Sequence, residues 1–403
     1  MWLRALWAAL AAGILAWGFL RGSARRRLAG AVLAGVGAGL VLGWLLPPGL
    51  AHYLISFATM AAIFGLLALG LNVQWGYTGL FNIGVAGFFA VGAFTSALFT
   101  TEKPTGPLAL YAQQAFGLKL PFLVGVAAAG LLGAVVALLV GLPTLRLRED
   151  YLAIATIGIA ETLRLVFQNE RWLANGPQPL QGIPAPLYCL VQEPRCAWLP
   201  TWARSLVEGL EPTDYGAIYL AVVCLFLVAV YRALERAIRS PWGRVLRAIR
   251  EEEWAAAMYG KDVFAFKLQA LMVGAAIMGM GGALYAHYLL SIDYTHFTPL
   301  YGTFLIWVML ILGGSGNNRG AVVGAFLIWA VWTGSAFVTD RLSPFLGALS
   351  PALPSRAPYL RYLLIAVLLE VVLLWRPQGL LGEERRVSRF LEEEGEPAAG
   401  STR

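Results

Sequence analysis

The sequence predicts an all-α fold: a polytopic transmembrane helical bundle of about 10–11 spans with a charged helical loop projecting from it. Three observations predict this. Of the 403 residues, 59% are hydrophobic and only 13% charged, about half the roughly 25% of soluble domains. The apolar residues gather into runs close to the roughly 20 needed to cross hydrocarbon as a helix. One stretch, Ser240 to Lys267, breaks the pattern by concentrating charge of both signs.

Taken in order, the first apolar run is Trp2–Leu20, followed by Arg21, Arg25, Arg26 and Arg27. A positive cluster after the apolar run reads as a retained span with its N-terminus outside, not as a cleaved leader. Leu28–Leu46 follows and ends at Pro47 and Pro48, then Tyr53–Leu71, Ile83–Phe99, Leu120–Leu142 and Tyr151–Gln168. A long Pro-rich connection, Asn169–Asp214, leads to Tyr215–Tyr231. Beyond the charged stretch come Phe266–Leu290, Leu300–Leu312, Ala321–Val338 and Leu360–Trp375, and the chain closes in a polar tail. With this orientation the inner loops hold Arg146, Arg148, the Arg232–Lys267 region, Arg319 and the tail, so basic residues favour the cytoplasmic side. The C-terminus is then cytoplasmic. The +7 charge belongs to loops flanking spans, which excludes a nucleic-acid interface as its purpose. No phosphate-cradling Gly-x-x-x-x-Gly-Lys-Ser/Thr loop is present, so ATP hydrolysis is not expected of this chain. The cysteines Cys189, Cys196 and Cys224 fit no metal spacing, and no metal or other cofactor is expected. Cys189 and Cys196 share one loop and are either bridged or two free thiols; Cys224 is ordinary packing.

The charged stretch has its own grammar. Ser240-Pro241 is a helix start, a capping oxygen before a residue suited to the first helical position, and Gly260 is the matching left-handed stop. Trp242, Val245, Leu246 and Ile249 share one face, with Arg244, Arg247 and Glu251 opposite. The phase breaks at Glu253 and Trp254, which predicts two short helices bent near Glu252. A surface helix carrying an out-of-phase Trp is a docking element for a protein partner. The other readings are a plain solvated helix and a lipid-surface helix, the latter disfavoured by three successive glutamates.

Two further features point to a pathway. Asn72-Val-Gln74-Trp-Gly76-Tyr77-Thr-Gly79-Leu-Phe-Asn82-Ile-Gly84 is uncharged, amide-rich and punctuated by glycine. It is either a tight loop or an interrupted helix, which is tolerated at membrane depth only when buried in protein or lining a cavity. Glu161 and Arg164 share a helix face and can pair. Charged residues inside a span are functional candidates, with a structural pair or a snorkelling Arg164 as the plain alternatives. Glu370 has less to recommend it, and His52, His287 and His296 read as interfacial residues. Gly313-Gly-Ser315-Gly could suggest a serine nucleophile with His287 as base, but the topology puts the two at opposite ends of the bundle. No catalytic residues are expected.

The motifs Ala68 to Gly84, Ala160-Glu-Thr-Leu-Arg164, Gly176 to Pro184, Ser240 to Lys267, Leu312 to Gly324 and Arg376-Pro-Gln-Gly-Leu-Leu-Gly382 occur together and in order. In them the chain resembles the permease subunit of branched-chain amino acid ABC importers. The resemblance covers most of Tyr53–Gly382, giving an expected organisation of extra N-terminal helices over 1–52, a permease domain over 53–382 and a cytoplasmic tail over 383–403. It implies a non-enzymatic subunit of the cell (inner) membrane, moving hydrophobic amino acids by alternating access. Urea, short amides or other amino acids are the alternative cargo, and an ion-coupled secondary transporter is the rival mechanism. Gly243, Arg244, Arg247, Ala248, Arg250, Glu251, Glu253, Ala256 and Gly260, with Trp254, would form the coupling loop seated on separate ABC ATPase subunits. Asn72, Gln74, Gly76, Tyr77, Gly79, Asn82, Glu161 and Arg164 would line the pathway. The implied partners are those ATPases, a related second permease in a heterodimer, an extracytoplasmic binding protein and the lipid bilayer, with no nucleic acid. The chain departs from the family at Val85, where a polar residue or His is common, at Asn175, where a second Gly is common, and in its long connection Tyr188–Pro212.

Overall fold

The computed structural model describes residues 48–105, 113–191, 212–349 and 356–383. The two spans expected ahead of Pro48, residues 192–211 of the Pro-rich connection and the tail beyond Glu383 lie outside the described residues. Among the described residues the regular structure is helical apart from a two-stranded ribbon, β1 (Leu180–Gln181) against β2 (Ser291–Ile292), and two isolated bridges.

The helices follow the apolar runs. α1 (Pro48–Leu71) continues through one wide turn of π geometry, Asn72–Gly76. α2 (Val85–Thr100), α3 (Phe122–Thr144) and α4 (Glu149–Asn169) follow. α5 (Tyr215–Arg239) runs two turns past its apolar stretch and ends on Arg236 and Arg239, which suit the negative end of the helix dipole. After the charged pair α6 (Pro241–Glu251) and α7 (Glu253–Met258) comes α8 (Val263–Leu289). α9 (Leu305–Gly313) is preceded by a second π turn, Leu300–Phe304. α10 (Asn318–Leu349) continues beyond the expected Val338 and through Pro344, and α11 (Leu360–Trp375) closes the bundle. Five of these helices are long and apolar enough to cross a membrane; α2 and the Leu300–Gly313 segment are apolar but shorter.

The centre of the bundle is α8, packed against α1, α2 and α3. Small residues permit this. A Cβ on Gly92 would stand 2.1 Å from the Gly279 carbonyl oxygen, and one on Gly282 would stand 2.2 Å from that of Phe89. Between membrane helices, where burial from water offers no drive, close backbone approach supplies the packing attraction. α9 and α10 form an equally tight hairpin: a Cβ on Gly324 would fall 1.9 Å from the Met309 carbonyl oxygen. α4 is peripheral. Its face with Ala160 and Phe167 packs on α2, where Phe167 stacks on Phe94 at 4.1 Å, and the opposite face, with Tyr151, Ile154 and Leu165, is exposed.

Alternating chain direction gives the bundle two ends. α6 and α7 mark the charged end, and the segment from Arg171 to Val191 marks the other.

Candidate functional site

The interrupted-helix segment is where distant motifs converge. The π turn at Asn72–Gly76 buries Asn72 and Gln74 completely, and buried amides require partners. Asn72 Nδ2 donates to Asn318 Oδ1 at 3.0 Å, and Asn72 Oδ1 accepts from the Gly316 N–H at 2.9 Å. Asn318 Nδ2 in turn donates to Glu235 Oε2 at 3.3 Å, at the end of α5. Gln74 Nε2 donates to the Leu271 carbonyl of α8 at 2.9 Å, and Gln74 Oε1 accepts from Asn82 Nδ2 at 2.7 Å. Asn82 Oδ1 accepts the Gly84 N–H at 2.7 Å, just before α2 begins. Tyr77 is buried against the same cluster. The expected pathway residues Asn72, Gln74, Gly76, Tyr77, Gly79 and Asn82 therefore form one connected group at the charged end, and the amides are all engaged with protein.

Arg250 of α6 joins this group. Its Nη1 donates to the Gly76 carbonyl and its Nη2 pairs with Glu383 Oε2 at 2.7 Å. Gly79, at φ +77°, lets its backbone pass the Arg250 side chain, with Cγ 3.3 Å from where a Cβ would sit. The stretch before Glu383 is fixed by the end of α9. Leu380 N–H donates to the Leu312 carbonyl at 2.9 Å and Leu381 N–H to that of Gly313 at 3.0 Å, satisfying carbonyls that a helix end leaves open. Asn317 Nδ2 closes the ring on the Gly382 carbonyl at 3.1 Å. Five separated pieces of chain thus meet in one polar node: the π turn, the end of α5, α6, the α9–α10 turn and the tail.

α6 and α7 present two faces. Leu246 and Ile249 are buried and Arg244, Ala248 and Glu251 are exposed; each buried aliphatic side chain stabilises the docked helix by about 1.5–3 kcal/mol. The bend falls at Glu252, whose φ of −154° leaves the helical region. Gly260 takes the left-handed stop at φ +73°. Ser240 differs from expectation: it occupies the cap position, but its hydroxyl donates to the Ala237 carbonyl at 2.6 Å instead of accepting from α6. It closes α5. Gly243 is buried where a Cβ would meet the Ile238 carbonyl oxygen at 2.2 Å. Arg247 lies along α5, its Nη2 3.4 Å from the Ile238 carbonyl oxygen, so Arg247 and Arg250 turn inward. Glu253 pairs with Lys267 of α8, and Ala256 is buried beside them. What remains outward is an apolar tip, Trp254 at 77% exposure with Met258 and Tyr259 even more open.

Glu161 and Arg164 do pair. Arg164 Nε donates to both Glu161 carboxylate oxygens at 3.0 Å, and its guanidinium lies 5.7 Å from the centre of the Tyr294 ring. The hydrogen bonds of Arg164 stay within α4, to Glu161 and to Gln168, on a flank between the buried and the exposed faces of that helix.

At the other end of the bundle His287 is fully buried, which corrects the interfacial reading. Its Nδ1 donates to the Pro184 carbonyl at 2.8 Å, leaving Nε2 to accept from the Ser96 hydroxyl at 3.0 Å. It clips the loop to α2 and α8 and is nowhere near Ser315, which sits in the node's turn. Asn175 explains its own departure from glycine. It adopts φ +67°, a conformation Asn tolerates, and its side chain accepts from the Gln113 N–H at 3.0 Å and donates to the Pro179 carbonyl at 3.2 Å. Cys189 is disulfide-bonded and Cys224 is a buried free thiol, while Cys196 lies outside the described residues. Among the described residues no group of three or more His, Cys, Asp or Glu could hold a metal ion.

Glu235, Asn317, Asn318 and Glu383 carry the node and were not singled out from sequence. The available signal was the Asn pair inside the Gly313–Gly320 turn; Asn318 is buried and Asn317 half-buried, and both amides find long-range partners.

Residues 53–373 match the family model described as branched-chain amino acid transport system / permease component. The high-affinity branched-chain amino acid transport system permease protein LivM of Escherichia coli K12 is 32% identical over 346 residues, covering 85% of this chain and 73% of the relative. The probable LivM of Methanocaldococcus jannaschii is 27% identical over 343 residues, 80% of this chain and 91% of the relative. The guanosine ABC transporter permease protein NupQ of Bacillus subtilis is 27% identical over 240 residues, 59% and 67% of the respective chains. No solved structure matches the chain. With its multi-pass helical bundle and a family match running through α4 and all of the node except its tail segment, the chain belongs to the family of branched-chain amino acid transport system permease components.

Proposed function

We propose that this chain is the membrane subunit of an ATP-driven importer and moves hydrophobic, branched-chain amino acids inward by alternating access. In this reading the charged end faces the cytoplasm, separate ATPase subunits grip the Trp254–Met258–Tyr259 tip, and an extracytoplasmic binding protein delivers cargo at the other end. A related second permease completes the passage, and the domain organisation is that expected from sequence, with the pathway over 53–382. The observation that carries the proposal is Arg250, which ties α6 to the Gly76 carbonyl and to Glu383 at once. A partner that shifts α6 therefore drags the end of α1 and the tail of α11 with it. Rigid elements joined by charge-assisted bonds move together, and two packings of such a node would give the two access states.

The relatives named for guanosine and nucleoside transport support a second reading in which the class is kept and the cargo is a nucleoside. Uptake into proteoliposomes of the purified complex decides between them. The proposal expects leucine accumulation that requires ATP and competes with isoleucine and valine. Accumulation of guanosine in place of leucine would move the cargo to the second reading, and uptake driven by an ion gradient without ATP would end the importer reading.

A further inference from the structure

A cavity of about 500 Å³ opens on the side of the bundle, between α4, the π turn at Leu300–Phe304 and the segment following α1. Its volume falls within the roughly 300–1,000 Å³ of small-molecule sites. The walls are apolar and aromatic. Trp75 and Trp307 lie 4.8 Å apart, Phe81 stands edge-on to Trp307 at 4.9 Å, and Ile157 and Phe304 complete the mouth. Trp307 is held by its indole N–H, which donates to the Asn82 carbonyl at 3.1 Å.

The Glu161–Arg164 pair is not part of this lining but follows it on α4, one turn beyond Ile157. Glu161 is four residues beyond Ile157, hence one turn along the same face of α4, and helical side chains lean toward the preceding turn. Arg164 leans back onto Glu161, and Glu161 toward Ile157. From the opposite wall, the Tyr294 ring beneath the Arg164 guanidinium belongs to the turn that leads straight into Pro299 and Leu300 of the lining. The pair retains capacity. Glu161 is 36% exposed, and of the five N–H donors on Arg164, two have no protein acceptor in the described contacts. Charged residues at membrane depth are functional candidates, and this pair lies on the flank of α4 that carries Ile157, with Arg164 only 16% exposed.

We propose that this chamber takes a zwitterion with an apolar side chain. The side chain enters among Trp75, Ile157, Phe304 and Trp307, the α-ammonium group meets Glu161 and the α-carboxylate meets Arg164. One ion pair is exchanged for two and no net charge is buried, whereas a neutral nucleoside or a lipid tail replaces neither partner. This rests on the amino-acid reading above and assigns the residues that recognise the cargo within the membrane.

The test is site-directed protection in vesicles holding the assembled transporter. Phe304→Cys, at the cavity mouth, is labelled with a maleimide, with Leu300→Cys as a second reporter should the first fail to assemble and the unsubstituted chain as the blank. Leucine is expected to slow labelling, while 4-methylpentanoate, leucinamide and guanosine at the same concentration do not. Adding Glu161→Gln and Arg164→Gln is expected to raise the protecting leucine concentration roughly tenfold or more, as losing hydrogen bonds to charged groups implies. Equal protection by 4-methylpentanoate, protection by guanosine, or leucine protection that survives removal of both charges overturns the proposal. ATP-driven leucine uptake by the unsubstituted complex separates the two levels. Uptake without any protection overturns the chamber alone, and absence of uptake overturns the amino-acid reading beneath it.

Discussion

Arg250→Ala removes both bonds by which α6 holds the rest of the node. The bond to the Gly76 carbonyl is charge-assisted and partly buried, and such bonds contribute about 1.5–3 kcal/mol. The bond to Glu383 contributes less. The two side chains are 23% and 34% exposed, and solvent screening holds pairs of that kind to about 0.2–1 kcal/mol. Together the link is worth about 2–4 kcal/mol, which corresponds to roughly a 30–900-fold loss of coupling between α6 and the end of α1. The assay is simultaneous measurement of ATP hydrolysis and leucine uptake by the reconstituted complex. The substituted transporter is expected to hydrolyse ATP while moving far less cargo per ATP. Arg250→Lys, a point charge in place of a fork, keeps one bond and is expected to fall between the two. If Arg250→Ala moves as much cargo per ATP as the unsubstituted transporter, the node does not transmit force and the argument built on it fails.

Other perturbations probe the remaining parts. Gly76→Ala would place a Cβ 2.0 Å from Asn72 Oδ1 and 2.6 Å from the Gly316 nitrogen; a loss of about 1–3 kcal/mol is expected from overpacking, read as a lower unfolding midpoint in detergent. Gly92→Ala forces α2 off Gly279 and is expected to destabilise the bundle comparably, with the ATPase subunits still bound. His287→Ala leaves the Pro184 carbonyl without its donor, at a cost of about 1–3 kcal/mol, and is expected to speed proteolysis within residues 176–184. Ser315→Ala is expected to leave uptake unchanged, since His287, the base a serine nucleophile would need, is held at the other end of the bundle by Pro184 and Ser96.

The fold was legible where local pattern decides it. Each apolar run from Tyr53 onward became a helix, and the Glu252 bend and Gly260 stop were visible because helix phase and left-handed glycine are properties of neighbouring residues. Long-range packing was not legible. Asn72 meets Asn318 across 246 positions and Arg250 meets Glu383 across 133, and nothing in either motif names the other. The glycines of α8 read as composition until α2 and α3 were seen lying against them. Arg247 and Arg250 illustrate the limit. Helical phase separates Arg247 from the buried stripe, yet side chains this long fold back to carbonyls that the sequence does not locate.

The account depends most on the α6–α7 tip being the handle that a separate ATPase grips. Purifying the tagged chain from membranes in which the whole transporter is expressed, with and without Trp254→Ala and Tyr259→Ala, tests that directly. The ATPase subunits are expected to accompany the unsubstituted chain and to be lost from the double variant, while the yield of the membrane protein is unchanged. An ATPase that stays bound to the double variant in full amount would contradict the account.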